Sequence, residues 1–204
     1  MKKSVPNIIA ICSIVMLSVS LLLSNTVVAQ AKAEVLSTDE AAASCFVQLN
    51  DGSIYQFSTL KLVTGVLITP HLLADNKVII NAKDIKAYRN DKHFAVSDKS
   101  LTTQKKSLVA VETLPGFAVR IVTGKMNVYC RKYYNGSNTV DEYFLQNGNE
   151  GQIVAYSTDL MKNLLKDNAK ALDYFNSKVK VSPKSKKLLA TADIYNSGEL
   201  FSKN

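Results

Sequence analysis

Turn-forming pairs cut the middle of this chain into short runs, and that rhythm constrains the fold more than any other feature. Asp51-Gly52, Asp75-Asn76, Asn90-Asp91, Pro115-Gly116, Gly124-Lys125, Asn135-Gly136 and Asn147-Gly148 punctuate residues 44–156. From Pro115 on such chemistry recurs roughly every 9 to 12 residues, the pattern of an antiparallel sandwich or barrel. The runs between the turns suit strands. SCFVQL and SIYQFSTLKLV flank Asn50-Asp51-Gly52, and a D-G pair supplies the positive φ values of a tight hairpin. IKAYRNDKHFAVS reads as a second hairpin, turning at Asn90-Asp91. SLVAVE, FAVRIV, MNVYCRKYY, VDEYFLQ and GQIVAY follow. GVLITPHLLADNKVII is expected to fold down at Pro70, and residues 98–106 to form a polar surface loop.

The period changes at Ser157. Ser157 or Thr158 can cap a helix on which Leu160, Met161, Leu164 and Leu165 share one face. Asp167-Asn168 interrupts that run, and AKALDYFNSK predicts a second short helix. Ser182 and Pro183 suit the N-cap and first position of a third. The expected fold is α+β, an antiparallel β-meander (sandwich or partly open barrel) over 44–156 followed by two or three helices within 157–197. One domain, 44–204, is the simplest division.

The N-terminus carries an address. Lys2 and Lys3 precede an apolar stretch from Ile8 to Leu23, and Ala29, Ala31 and Ala33 provide small-x-small processing sites. This predicts a signal peptide over 1–30 and export to the periplasm, cell surface or extracellular space. A flexible segment, 31–43, is expected to lead into the domain. An uncleaved anchor is the alternative, weakened by Ser13, Ser18, Ser20 and Ser24. No later stretch is long and apolar enough for a membrane helix, so no integral membrane segment is expected after cleavage.

The precursor has 25 basic and 17 acidic residues, a net +8, and removal of Lys2 and Lys3 leaves +6. Such a surplus favours anionic glycans, lipid headgroups or acidic proteins. Nucleic acid is not expected, because no recognisable binding motif gathers the charge. Cys45 and Cys130 remain after processing, and export favours a disulfide between them. It would close a loop worth about 4 kcal/mol in the chain-entropy view. Two buried thiols are the alternative, since both residues alternate with apolar neighbours.

GKMNVYCRKYY, DEYFLQNGNEGQIV, DLMKNLLKDNAKALDYFNSK and ADIYN resemble exported Bacteroidota proteins of unknown function, in which a β-meander precedes a short helical tail. The resemblance spans roughly residues 116–196 and implies a Gram-negative envelope setting. It implies no reaction and no functional residues.

Candidate chemistry is sparse, and no catalytic residue, metal ligand or cofactor is assigned. His71 and Asp75 could share a helix face, but a metal site needs more converging ligands. His93 is expected at a hairpin tip, and Asp141-Glu142 on a strand point to opposite faces. Tyr129, Arg131 and Tyr133 form a row opposite Val128 and Cys130, a plausible carbohydrate or peptide platform. The competing expectation is that the C-terminal helices cover that row. Lys178, Lys180, Lys184, Lys186 and Lys187 could contact anionic polymers, or serve as a solvated loop and helix start. The expected function is a non-enzymatic exported envelope protein that binds an envelope protein or anionic glycan. The alternatives are an envelope-polymer hydrolase using Asp or Glu, and a stress or assembly accessory.

Overall fold

The structure, a computed structural model, describes residues 45–65, 67–102, 112–177 and 184–198. The chain divides into two units, Met1–Lys32 and Ala33–Asn204, and every described residue belongs to the second. The expected signal peptide (1–30), the segment 31–43, the 107–111 part of SLVAVE and the Ser182-Pro183 cap lie outside the described residues.

The α+β expectation holds. Among the described residues there are twelve strands: β1 (Cys45–Leu49), β2 (Ile54–Phe57), β3 (Leu60–Gly65), β4 (Ile68–Ala74), β5 (Val78–Asn81), β6 (Ile85–Arg89), β7 (Phe94–Ser97), β8 (Leu101–Thr102), β9 (Phe117–Val122), β10 (Met126–Tyr134), β11 (Thr139–Asn147) and β12 (Ile153–Ala155). Three helices follow: α1 (Thr158–Leu164), α2 (Ala169–Asn176) and α3 (Lys184–Ser197). Nine strands form one curled sheet in the order β2-β1-β6-β7-β9-β10-β11-β12-β8, and β3-β4-β5 form a smaller one.

Local chemistry explains most of these elements. Gly52 turns β1 into β2 at φ +92°, and Asp75 and Asn76 (φ 48° and 56°) close the β4–β5 hairpin, as a type I′ turn requires. The Asn90 side chain accepts from the backbone N–H groups of Lys92 and His93. Ser157 Oγ accepts from Leu160 N at 3.1 Å and Asn168 Oδ1 from Ala171 N at 3.0 Å, so each begins its helix as an N-cap.

Three expectations are corrected. SIYQFSTLKLV is two strands in two sheets, because β2 pairs with β1 whereas β3 pairs with β4; Asp75 Oδ1 accepts from Thr59 N at the crossing. Pro70 marks no turn but sits within β4. Its missing N–H is tolerated there because it faces the β3 irregularity between Val63 and Gly65 and lies beyond the reach of β5, whose pairing ends at His71. The stretch expected as a loop supplies β8, which pairs parallel to β12, so the sheet is not purely antiparallel.

The curl creates two different faces. Val47, Leu60, Leu72, Ile85, Tyr88 and Phe117 bury the small sheet against one face. Further along that face Met126, Val128 and Leu145 pack on Met161, Leu165, Leu188 and Ala192 of the helical end. The opposite face gathers Ala87, Val96, Leu101, Ala118, Tyr129, Phe144 and Ile153 into one cluster. Those residues span strands from β6 to β8, six places apart in the sheet order. They meet because this face lies inside the curl.

Candidate functional site

The inside of the curl holds a cavity of about 900 Å³, within the size range of ligand pockets. Its floor is apolar, from Ala87, Val96 and Ile153, while Gln48, Asn149 and Gln152 stand among its lining residues. A row of side chains crosses it from strand to strand. Phe46 on β1 pairs with Arg89 on β6, and Arg89 pairs with Phe94 on β7. The β7–β9 register, in which Ala95 meets Val119, sets Phe94 beside Arg120. Arg120 in turn pairs with Tyr129 on β10. The row therefore alternates aromatic and cationic across five strands.

Its geometry is that of stacked rings and guanidinium planes. Arg120 Cζ lies 4.4 Å and Arg89 Cζ 5.7 Å from the Phe94 ring centroid, both within cation–π range. Phe46 and Phe94 are tilted against each other at 6.1 Å. Burial, and then the charge of Arg120, push the Arg89 pKa below its ordinary value. Two like charges thus share one ring. A second recess of about 280 Å³ adjoins the cavity through Arg89, Phe94, Arg120 and Thr123 and reaches the Asn90–His93 turn.

A buried polar network shapes one rim. Tyr129 Oη donates to Gln146 Oε1 at 2.7 Å, and Gln146 Nε2 donates to the carbonyls of Asn149 and Gly151 at 3.0 and 2.9 Å. Asn127 Nδ2 donates to Gly148 O at 2.8 Å. These bonds hold the turn that carries Asn149, Glu150 and Gln152 over the cavity. Burial raises the Tyr129 pKa, opposed by the charge and hydrogen bonding of Arg120.

The residues singled out from sequence fare differently. Tyr129, Arg131 and Tyr133 do share a face, but it is the inside of the curl, and the helices pack on the other face through Met126 and Val128. Nor is the row an open platform. Tyr129 is 2 % exposed and Arg131 1 %. Arg131 is held by Glu142 at 2.5 Å and stacks on Phe144 and Tyr133. Glu142 and Asp141 do face opposite ways, and Asp141 accepts from the Tyr143 hydroxyl instead.

The expected disulfide is absent. Among the described residues Cys45 and Cys130 are free thiols, half-buried and buried respectively. Strands β6, β7 and β9 separate β1 from β10, about 19 Å along the sheet at the usual spacing. A disulfide needs Cα atoms within about 7 Å. Burial pushes the Cys130 thiol up to about 11.

Lys178 and Lys180 lie outside the described residues, as does the side chain of Lys184 in α3. Lys186 is exposed, whereas Lys187 Nζ donates to Ser177 O at 2.6 Å just beyond α2, where a cation meets the helix dipole. His71 lies in β4 and bonds to Thr69 O. Extended strand rather than a helical turn runs from it to Asp75, about 13 Å at the usual rise, so the two are not drawn together as i and i+4 of a helix would be. Among the described residues no three His, Cys, Asp or Glu side chains gather as a metal site would require. His93, in contrast, shares a 2.9 Å hydrogen bond with buried Tyr88.

Sequence reasoning missed Arg89, Phe94 and Arg120. The available signal was an arginine at a strand position otherwise occupied by small apolar residues, as in Ala118-Val119-Arg120. No protein family, no curated protein and no solved structure matches this chain, so the Bacteroidota resemblance rests on the residues that suggested it. Among the described residues no helix is long and apolar enough to cross a membrane.

Proposed function

We propose that this is a non-enzymatic exported envelope protein, a binding module that works through the inside of its curled sheet. The observation that carries the reading is the Phe46–Arg89–Phe94–Arg120–Tyr129 row, set over an apolar floor in a cavity large enough for a ligand. Binding sites combine apolar area with a few placed polar groups in this way. The hydrolase alternative is less well supported. Paired-carboxylate chemistry needs two acids flanking a bond, and Glu150 is the single acid among the described residues lining the cavity.

The test uses the mature protein and a Gln48→Trp variant that fills the cavity mouth. Each is titrated with fractionated envelope material while the melting temperature is followed. A fraction that raises the wild-type melting temperature by several degrees and leaves Gln48→Trp unmoved supports the reading. Equal shifts in both proteins, or none with any fraction, refute it. Turnover of an envelope polymer that disappears in Glu150→Gln would establish the hydrolase instead. Cell fractionation checks the compartment, and a cytoplasmic pool of full-length chain would remove the export part.

A further inference from the structure

Asn135 and Gly136 stand at the tip that joins β10 to β11, where the connecting residues, 135 to 138, are all exposed. The Asn135 side chain folds back on this tip. Its Oδ1 accepts from Ser137 N at 3.0 Å and from Asn138 N at 2.9 Å. These donors polarise the amide carbonyl, and they stand where negative charge would develop on Oδ1 if Cγ were attacked, as in an oxyanion hole. Among the described residues no hydrogen bond engages Gly136 N or Asn135 Nδ2. Gly136 N, the backbone nitrogen next to that amide, is also unshielded, because Gly136 lacks a Cβ and sits at φ +98° with open space beside it.

Two other asparagines each lack part of this combination. Asn90 Oδ1 accepts from the N–H groups of Lys92 and His93, but Asn90 is buried and Asp91 rather than a glycine follows it. Asn147 precedes Gly148, but Gly148 N donates to Lys125 O at 2.6 Å, and Asn147 is paired with Met126 at the end of β11. We infer that Asn135 is a self-modification site, an asparagine that the folded chain converts to aspartate and isoaspartate. Gly136 N gives its proton to a base from solvent and bonds to Asn135 Cγ. The Cγ–Nδ2 bond then breaks, Nδ2 takes up a proton and leaves as ammonia, and a five-membered imide remains. Water opens the ring at Cγ to give aspartate, or at the backbone carbonyl to give isoaspartate. The tip gains a negative charge, and in the aspartate form the same two N–H groups can hold the carboxylate by charge-assisted bonds. This inference stands apart from the binding-module reading.

The test incubates the mature protein at neutral and mildly alkaline pH, folded and in guanidinium chloride. Digestion under acid conditions and mass mapping then separate aspartate from isoaspartate peptides. In the folded protein Asn135 is expected to convert at least about 10-fold faster than Asn147, a modest share of what one well-placed oxyanion donor can supply. Both products should appear, and the rate should rise with pH, because the attacking nitrogen must lose its proton. In guanidinium chloride the two Asn-Gly pairs should convert at similar rates, since the fold alone tells them apart. Gly136→Ala puts a methyl group beside the attacking nitrogen and should slow conversion at Asn135 about 10-fold or more, as added bulk and the strain of a side chain at positive φ both oppose the ring. A thermal melt confirms that this variant folds.

Folded Asn135 converting no faster than Asn147 overturns the inference, and this wild-type comparison decides the matter by itself if Gly136→Ala does not fold. Aspartate as the sole product also overturns it, because direct hydrolysis without the ring leaves no isoaspartate. Conversion seen in guanidinium chloride but not in the folded protein means that the tip protects Asn135, and the inference falls. A folded Gly136→Ala that converts at the wild-type rate removes the role given to Gly136 N and overturns it as well.

Discussion

Asn196 joins the last helix to the sheet and offers a direct test of how the helical end is held. It lies near the end of α3, and its side chain imitates a strand. Oδ1 accepts from Met126 N at 2.9 Å, while Nδ2 donates to Met126 O at 3.0 Å and to Thr123 O at 3.5 Å. Met126 is 1 % exposed, so both of its backbone groups depend on this amide. Asn196→Ala removes two good hydrogen bonds, at about 1 kcal/mol each, and leaves buried groups short of partners. Asn196 is itself half-buried, so water can reach the gap. The expected loss is therefore about 2 kcal/mol, rather than the larger penalty of a dry site. In urea unfolding this appears as a lower midpoint with an unchanged slope.

Gly124 supplies the second arm, since a Cβ there would land on the Asn196 amide. Gly124→Ala should destabilise wild type by 1 kcal/mol or more, in line with forced repacking, yet cost much less when Asn196 is already Ala. A double-mutant cycle measures that coupling. If Asn196→Ala costs under about 0.5 kcal/mol, or if the two changes simply add, the amide does not hold the helix to the sheet.

Other perturbations follow from the same geometry. Tyr129→Ser should cost about 3 kcal/mol, because it opens the core inside the curl and strips Gln146 of a donor; Tyr133→Ser, at a half-buried position, should cost less than half as much by thermal melting. Cys130 has its pKa raised to about 11 by burial, above the 9.0 of an exposed thiol. The unfolded chain therefore loses this proton first, and the thiol's contribution is full below pH 9 and falls away between about pH 9 and 11. Cys130→Ala should flatten that limb of the stability curve. Alkylation in denaturant without reductant should add two adducts to the mature chain, and a product lacking both would mean a disulfide. His93 has its pKa lowered, first by burial, so the unfolded state binds its proton more readily. Stability should decline as pH falls below about 6.5, and His93→Gln should remove that share of the slope.

Much of the architecture was legible because strands and turns are written locally. Alternation in FAVRIV and MNVYCRKYY, the Asp-Gly and Asn-Gly pairs, and the serine before DLMKNLL each act over a few residues, and each yields the element it predicts. Errors arose where a distant partner decided. The crossing at Ser58-Thr59 is set by β4, the strand around Pro70 by an irregularity in β3, and β8 by its parallel neighbour β12.

The candidate site lies wholly in that second category. Position along the strand decides which face Arg89, Phe94 and Arg120 occupy, a period-two property that any reading of the chain contains. That they stand side by side, with Phe46 and Tyr129 completing the row, depends on the registers of four strand pairs joining residues 46 to 129. Shifting one pair by a single residue sends its side chains to the other face. The sequence alone determines what each strand carries on each face. Long-range pairing determines which charges and rings meet, because the register energy comes from packing both faces of a curled sheet at once.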